Sequence, residues 1–361
     1  MKKWFLLLTC AGLAGMLLNA APSAELIEAA KKEGALSVYT TTSRVSGSAK
    51  KFEAMYGIKV TSASMKDGEL VEKVSTELTG NVYGADLILA QDGARIYGEL
   101  INPGYVVNYV PEDMKKLMPP EDQDPFVFAY YNTVFIFNNE TTKEPVIKNV
   151  WELTEPQWKN RVQFKDPNVA GVNMNFLTML LSPEWTDKLA AAYKERYGKD
   201  YAGEYENAAY GWIAGFFANA VLGNSDTTIS ENVGTKKQEK LLLGLFVLAK
   251  ARYEESKDLA LQPLPDTVPF AGFYFPTIAL LTKNAKNPNA AKLFLDYLMT
   301  EEGFKPWSVD VGTYSGNPTV PANKDDLEFT YWRTRLVPEN AAFTYENRAK
   351  MEEFINDIIN K

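Results

Sequence analysis

Three strand–helix pairs follow one another between Ala35 and Gly104, and this alternation restricts the fold more than any other feature of the chain. "ALSVYTT" reads as a strand, followed by a helix from Ser46 to Tyr56 that ends at Gly57. "IKVTSAS" reads as a second strand, followed by a helix from Glu69 to Leu78 that ends at Gly80. "ADLILA" is the third, with a helix from Ala94 to Leu100 stopped by "NPG". A helix from Ser23 to Lys32 precedes them. Glu25 and Glu28 complement the dipole of its first turns, Lys31 and Lys32 that of its last, and Gly34 is the stop. Strands alternating with helices at this spacing predict an α/β fold with a parallel sheet and helices on both faces.

In such sheets ligands bind beyond the carboxyl ends of the strands, where the strand order reverses. With the order 2-1-3, that reversal lies beside the first strand. This strand runs out in "TTTSRVS", at the mouth of the following helix. Thr41, Thr42, Ser43 and Ser46 are therefore candidates to present hydroxyls and backbone N–H groups to an anion. A helix N-terminus carries roughly half a positive charge, which favours such a ligand. One N-cap explains one hydroxyl, not four. Arg44 has the fork that pairs a phosphate, but it reads equally as a solvated arginine and stays outside the candidate set. Asp92, at the end of the third strand, is either a cleft residue or the cap of its own helix.

Composition narrows the function. The 361 residues contain no histidine, which excludes His-based triads, H-E-x-x-H zinc sites and every His-ligated metal. No G-x-G-x-x-G, P-loop or G-x-S-x-G is present. The N-terminus, with Lys2 and Lys3, an apolar run from Trp4 to Leu18 and then small residues, reads as an export signal over 1–21, its cleavage falling as late as 24. Cys10 is the only cysteine, so the exported chain has no disulfide and relies on its core. "LLLTC" also resembles a lipoprotein processing box, which gives lipid anchoring through Cys10 as the alternative to a soluble periplasmic protein. The net charge is −8, and −10 once Lys2 and Lys3 leave with the signal, which argues against nucleic acid as a partner.

Beyond residue 104 the pattern changes. "FVFAYYNTVFIFNN" (126–139) and "VPFAGFYFPTIALLT" (268–282) read as two long apolar strands, one crossing into a second lobe and one returning. Between them, "RVQFKDPNVAGVNMNFLTML" repeats the strand–turn–helix logic. Helical stretches run to Ala220, a polar turn covers 223–228, and a helix is expected from Thr235 to Leu243 before "LFVLA". "NPNAAKLFLDYLMTEEGFKPW" reads as a helix capped around Asn287, with Pro288 at its start. The segment 319–361 is polar and reads as a helical tail packed on the outside.

"ELIEAAKKEGALSVYTTTS", "GADLILAQDGA", "YYNTVFIFNN", "WELTEPQWKNRVQFKDP" and "KNPNAAKLFLDYLMTEEG" together resemble an extracellular solute-binding protein of ABC importers. The branch is the one that contains ferric-ion, hexose-phosphate and aminoethylphosphonate binders. The resemblance spans about residues 24 to 318, with the five segments in the right order. It implies a two-lobed periplasmic-binding-protein fold of type II kind, with two hinge crossover strands. Lobe 1 is then 25–130 plus 275–318, lobe 2 is 131–274, and 319–361 is the tail. It also implies a monomer that docks onto an ABC permease driven by ATPase subunits, with no catalysis and no cofactor.

The resemblance further assigns the cleft to two polar segments of the second lobe. These place Asn173 and Asn175 after "DPNVAG", and Ser225, Asp226 and Thr227 in "GNSDTT", with capping as the plain alternative. Ferric members coordinate iron through adjacent tyrosines. Tyr130-Tyr131 lies in the crossover strand instead, where neighbours point to opposite faces and only one looks into the cleft. Tyr131 is the better candidate to stack on an organic ligand, and Tyr274 on the other hinge strand is a weaker one. Hydroxyl- and amide-rich helix starts in both lobes, without a metal-ligand cluster, point to a small anionic organic solute, a sugar phosphate or phosphonate. A ferric ion is the alternative. An exported carboxylate-dependent glycosidase is the distant one, since no motif places an acid pair.

Overall fold

The structure is a computed structural model that describes residues 22–359. The export signal and Cys10 lie outside the described residues.

The first three strands are β1 (Ala35–Thr40), β2 (Lys59–Ser64) and β3 (Leu87–Ala90). β1 pairs in parallel with β2 on one side and β3 on the other, which gives the order 2-1-3 and puts the reversal beside β1. The helices Ala24–Glu33 and Val45–Tyr56 end at Gly34 (φ 70°) and Gly57 (φ 72°), left-handed positions where a side chain is costly. The short β4 (Val106–Val107) adds to the far end of a later strand.

β5 (Val127–Phe137) is the first long strand. The second lobe then contributes β6 (Val162–Lys165), β7 (Ala220–Gly223), β8 (Leu243–Val247) and the two-residue β9 (Gln262–Pro263). β10 (Gly272–Thr282) is the second long strand, and β11 (Thr313–Ser315) and β12 (Leu336–Val337) pair with β5 and β10 respectively. The main path through the sheet is β2-β1-β3-β10-β5-β8-β6-β7. β5 and β10 run antiparallel through its middle. β10 pairs with β3 through Ile278–Leu281, and β5 pairs with β8 through Thr133–Phe137. Each is buried along its length except for one half-buried residue, Tyr131 in β5 and Pro276 in β10. Strands covered on both faces need near-continuous apolar sequence, which is why these two segments read as unbroken hydrophobic runs. The result is a two-lobed α/β protein with two crossover strands.

Packing follows the sheet. Phe52, Phe128, Phe294, Phe304 and Trp307 fill the core beside β1 and the ends of β5 and β10. Trp212, Phe216, Phe270 and Phe176 fill that of the second lobe, with Phe176 and Phe273 stacked at 4.5 Å. Two segments differ from expectation. The helix expected over 235–243 is absent; the helix lies earlier, at Asp226–Gly234, inside and beyond the expected turn. "TKKQEK" has no apolar stripe to bury. The Asn138 and Gln238 side-chain amides instead take the carbonyls of Val233 and Thr235, closing the preceding helix. The C-terminal helix (Ala341–Ile359) does not lie apart. Its Met351 and Ile355 are buried in the second-lobe core, while Tyr345 packs on Tyr97 of the first lobe at 5.8 Å.

Candidate functional site

The carboxyl ends of β1, β6 and β8 converge beside the middle of β5, and a cavity of about 370 Å³ opens there. From the end of β1 come Thr41, Thr42, Ser43 and Arg44. Thr42 is part of the local turn: its N–H donates to the Thr40 hydroxyl at 3.3 Å, and its own Oγ1 accepts from the Arg44 N–H at 3.3 Å. Arg44 donates to the Trp307 carbonyl at 3.3 Å and pairs with Asp310, which leaves the guanidinium at the cavity wall. Ser46 does not line the cavity; its hydroxyl donates to the Ser43 carbonyl at 2.8 Å.

The second lobe supplies three more cations. Lys165 is the last residue of β6, and its Nζ lies 3.0 Å from an Asp226 carboxylate oxygen. Lys250 and Arg252 lie in the helical turn directly after β8. Lys250 donates to the Thr227 hydroxyl at 2.8 Å and to the Tyr253 hydroxyl at 3.3 Å. Arg252 donates to Asp310 at 2.9 Å and to the Ala249 carbonyl at 2.6 Å. Asp310, whose side chain is 4% exposed, thus holds one arginine from each lobe and aims both. The floor is aromatic: Tyr131 of β5 stacks on Phe275 of β10, centroids 5.7 Å apart and 10° between planes. Burial pushes the Tyr131 phenol up to about 12. The Thr227 hydrogen bond and the Lys250 ammonium draw the Tyr253 phenol down to about 8.

Of the twelve expected site residues, the structure brings six to this cavity: Thr41, Thr42, Ser43, Tyr131, Asn173 and Asp226. Asn173 is anchored through its amide on the Lys165 carbonyl at 3.0 Å. Thr227 stands behind Lys250, and Ser225 caps its helix by accepting the Thr228 N–H at 3.1 Å. Tyr274 points to the opposite face of β10, where it meets Tyr130 and Phe329. Asp92 and Asn175 are bonded to each other at 3.0 Å in a buried cluster with Glu339 and Arg348, whose guanidinium lies 2.7 Å from Asp92. That cluster fastens the C-terminal helix across both lobes. Asp92 also accepts the Arg95 N–H at 3.3 Å, the capping role.

Arg44, Gln91, Thr133, Lys165, Lys250 and Arg252 are the polar lining residues absent from the expected set. One signal unites the cations: Arg44, Lys165, Lys250 and Arg252 each end, or closely follow, a strand that is parallel to at least one sheet neighbour. Among the described residues no group of three or more Cys, Asp or Glu is gathered to hold a metal ion. The arrangement can clamp an anion between two lobes.

A model of bacterial extracellular solute-binding proteins matches residues 47–338. The chain belongs to that family. Its solute-binding proteins bind small ligands outside the cytoplasm and deliver them to ABC permeases; they are not enzymes. No curated protein matches this solute-binding protein at a significant level. Similar solved structures include iron-bound HitA from Pseudomonas aeruginosa, with a TM-score of 0.68 and 17% identity over 90% of this chain and 99% of that one. The ferric binding protein from Campylobacter jejuni gives 0.67 and 17% over the same shares. AfuA from Actinobacillus pleuropneumoniae, with fructose-6-phosphate bound, gives 0.64 and 18% over 91% of this chain and 98% of that one. At these identities the likeness shows a shared periplasmic-binding-protein fold.

Proposed function

We propose that this solute-binding protein captures a small organic solute bearing a phosphate or phosphonate, holds it between the lobes and passes it to the permease of an ABC importer. One observation carries the reading: Arg44, Lys165, Lys250 and Arg252 face a single cavity in which Asp226 is the only lining carboxylate. Counting Asp310 behind the arginines, positive charge exceeds negative by two, the complement of a dianionic phosphate monoester. The hydroxyls of Thr41, Thr42 and Ser43 add neutral donors, and the Tyr131–Phe275 stack offers an apolar floor to a carbon skeleton. The chain as a whole is negative, so attraction acts at short range inside the cleft.

The lobes in this reading are 25–130 with 275–318 and 131–274, with 319–361 as the third segment. Closure about β5 and β10 dehydrates the ligand and strengthens each charged hydrogen bond. The protein acts as a monomer in the periplasm, or tethered there by lipid on Cys10. HitA is iron-bound, and AfuA holds fructose-6-phosphate. Four facing cations repel a bare ferric ion and attract a phosphate, so the second type fits.

Thermal-shift and calorimetric titration with hexose phosphates, alkylphosphonates, free hexoses and ferric salts tests this. Phosphorylated compounds are expected to raise the melting temperature, and free hexoses to leave it unchanged. A rise with ferric salts alone, with a coloured phenolate band, overturns the proposal.

A further inference from the structure

A second cavity, of about 560 Å³, shares no residue with the cleft. It lies where the N-terminal helix, the end of the helix Val45–Tyr56, the loop 109–114 and the helix Pro288–Leu298 meet. Its ionisable lining is acidic and phenolic, with the Ser23 and Thr300 hydroxyls beside it, and among the described residues no lysine or arginine lines it. Glu112 and Glu302 are already paired, with Lys115 and Lys51. Asp296 is not: it accepts the Tyr109 hydroxyl at 3.0 Å, its charged neighbour is Asp113, and no cation among the described residues offsets it. Lys292, one turn earlier, lies over the Tyr109 ring instead, 5.6 Å from its centroid.

A second observation is independent of the acids. Tyr297 is only 4% exposed, and its hydroxyl is fully buried with no hydrogen-bond partner among the described residues. It lines this cavity and is close enough to Glu302 and Tyr56, two other lining residues, to sense their charge. Leaving a buried hydroxyl unsatisfied is costly, so the group is waiting for a partner that enters the cavity. The remaining walls are Leu26, Met55, Met114 and Met299 with the Tyr56 and Tyr109 rings. We infer that this cavity is a second ligand site that binds an organic ammonium cation, an alkylamine whose head sits between Asp296, Asp113 and the Tyr297 hydroxyl. An ammonium offers three donors and accepts none, which matches three oxygen acceptors. The alkyl chain would cover the methionine and tyrosine walls, which an inorganic cation would leave bare. Burial pushes the Asp296 carboxyl up to about 7, as expected of a carboxylate without its counter-ion.

Calorimetry of the exported protein with putrescine, spermidine and hexylamine, and hexanoate as control, tests the site. Saturable binding of at least one amine and none of hexanoate is expected. Asp296→Asn should weaken it roughly tenfold, the loss of one charge-assisted hydrogen bond. Tyr297→Phe should weaken it several-fold without lowering the melting temperature, because the deleted hydroxyl has no partner among the described residues. Arg252→Ala, in the cleft, should leave amine binding unchanged. No amine binding at millimolar concentration, affinity unchanged from the parent protein in both cavity variants, or loss of binding in Arg252→Ala would overturn the inference.

Discussion

Lys250 is held between the Thr227 hydroxyl and the Tyr253 phenol, so its ammonium is fixed before any ligand arrives. Pre-ordered charge costs less on binding than a free lysine would. Lys250→Gln is therefore expected to weaken phosphate-ligand binding by roughly 10- to 100-fold, the worth of a charged hydrogen bond of about 1.5–3 kcal/mol, measured by titration. Tyr253 sets the upper pH limit. Its phenol ionises near 8, which adds a negative charge beside Lys250. Affinity should fall as pH rises through about 8, and Tyr253→Phe should remove that fall. The hydroxyls at the end of β1 were legible in the sequence because of where they stand. The cations were not, since a lysine or arginine after a strand looks like any solvated one until the lobes face each other.

Among the elements, the C-terminal helix and the clasp beneath it depend on close approach. Gly98 faces the Tyr345 ring and Gly171 faces the Asp92 carboxylate, at distances that leave no room for a Cβ. Gly98→Ala must push the exposed Tyr345 ring off Tyr97, and because that ring can swing towards solvent a stability loss of about 1 kcal/mol, the low end for overpacking, is expected in denaturant melts. Arg348 is the electrostatic fastening. Arg348→Ala leaves Asp92 buried at 1% exposure without its cation, and should cost about 3–5 kcal/mol. The helix itself was readable from sequence, but its place was not. Met351 and Ile355 are two apolar residues on a polar helix, and nothing local says that they enter the second-lobe core.

At the scale of the whole molecule, buried acids make stability depend on pH. Burial pushes the carboxyls of Asp67 and Asp296 up to about 7, and burial with the Asp92 charge nearby raises that of Glu339 well above its usual range. A raised carboxyl keeps its proton in the folded state after the unfolded chain has released it. Its contribution is full below about 4 and is lost as pH climbs towards 7. The melting temperature should therefore rise between about pH 8 and about pH 5.5, and Asp67→Asn should flatten the rise.

The alternation of short strands and glycine-stopped helices determined the α/β class and its parallel pairing, and two unbroken apolar runs determined the crossover character of β5 and β10. Each of these follows from local pattern: period, turn residues and runs buried on both faces. The composition of the cleft is of another kind. Whether Lys165, Lys250, Arg252 and Arg44 act together, and whether Asp92 and Asn175 serve a ligand or a clasp, depends on residues distant along the chain. Only folding brings Asp310 between the two arginines and Arg348 onto Asp92, because a charge is assigned its partner by distance in space and not by position in sequence.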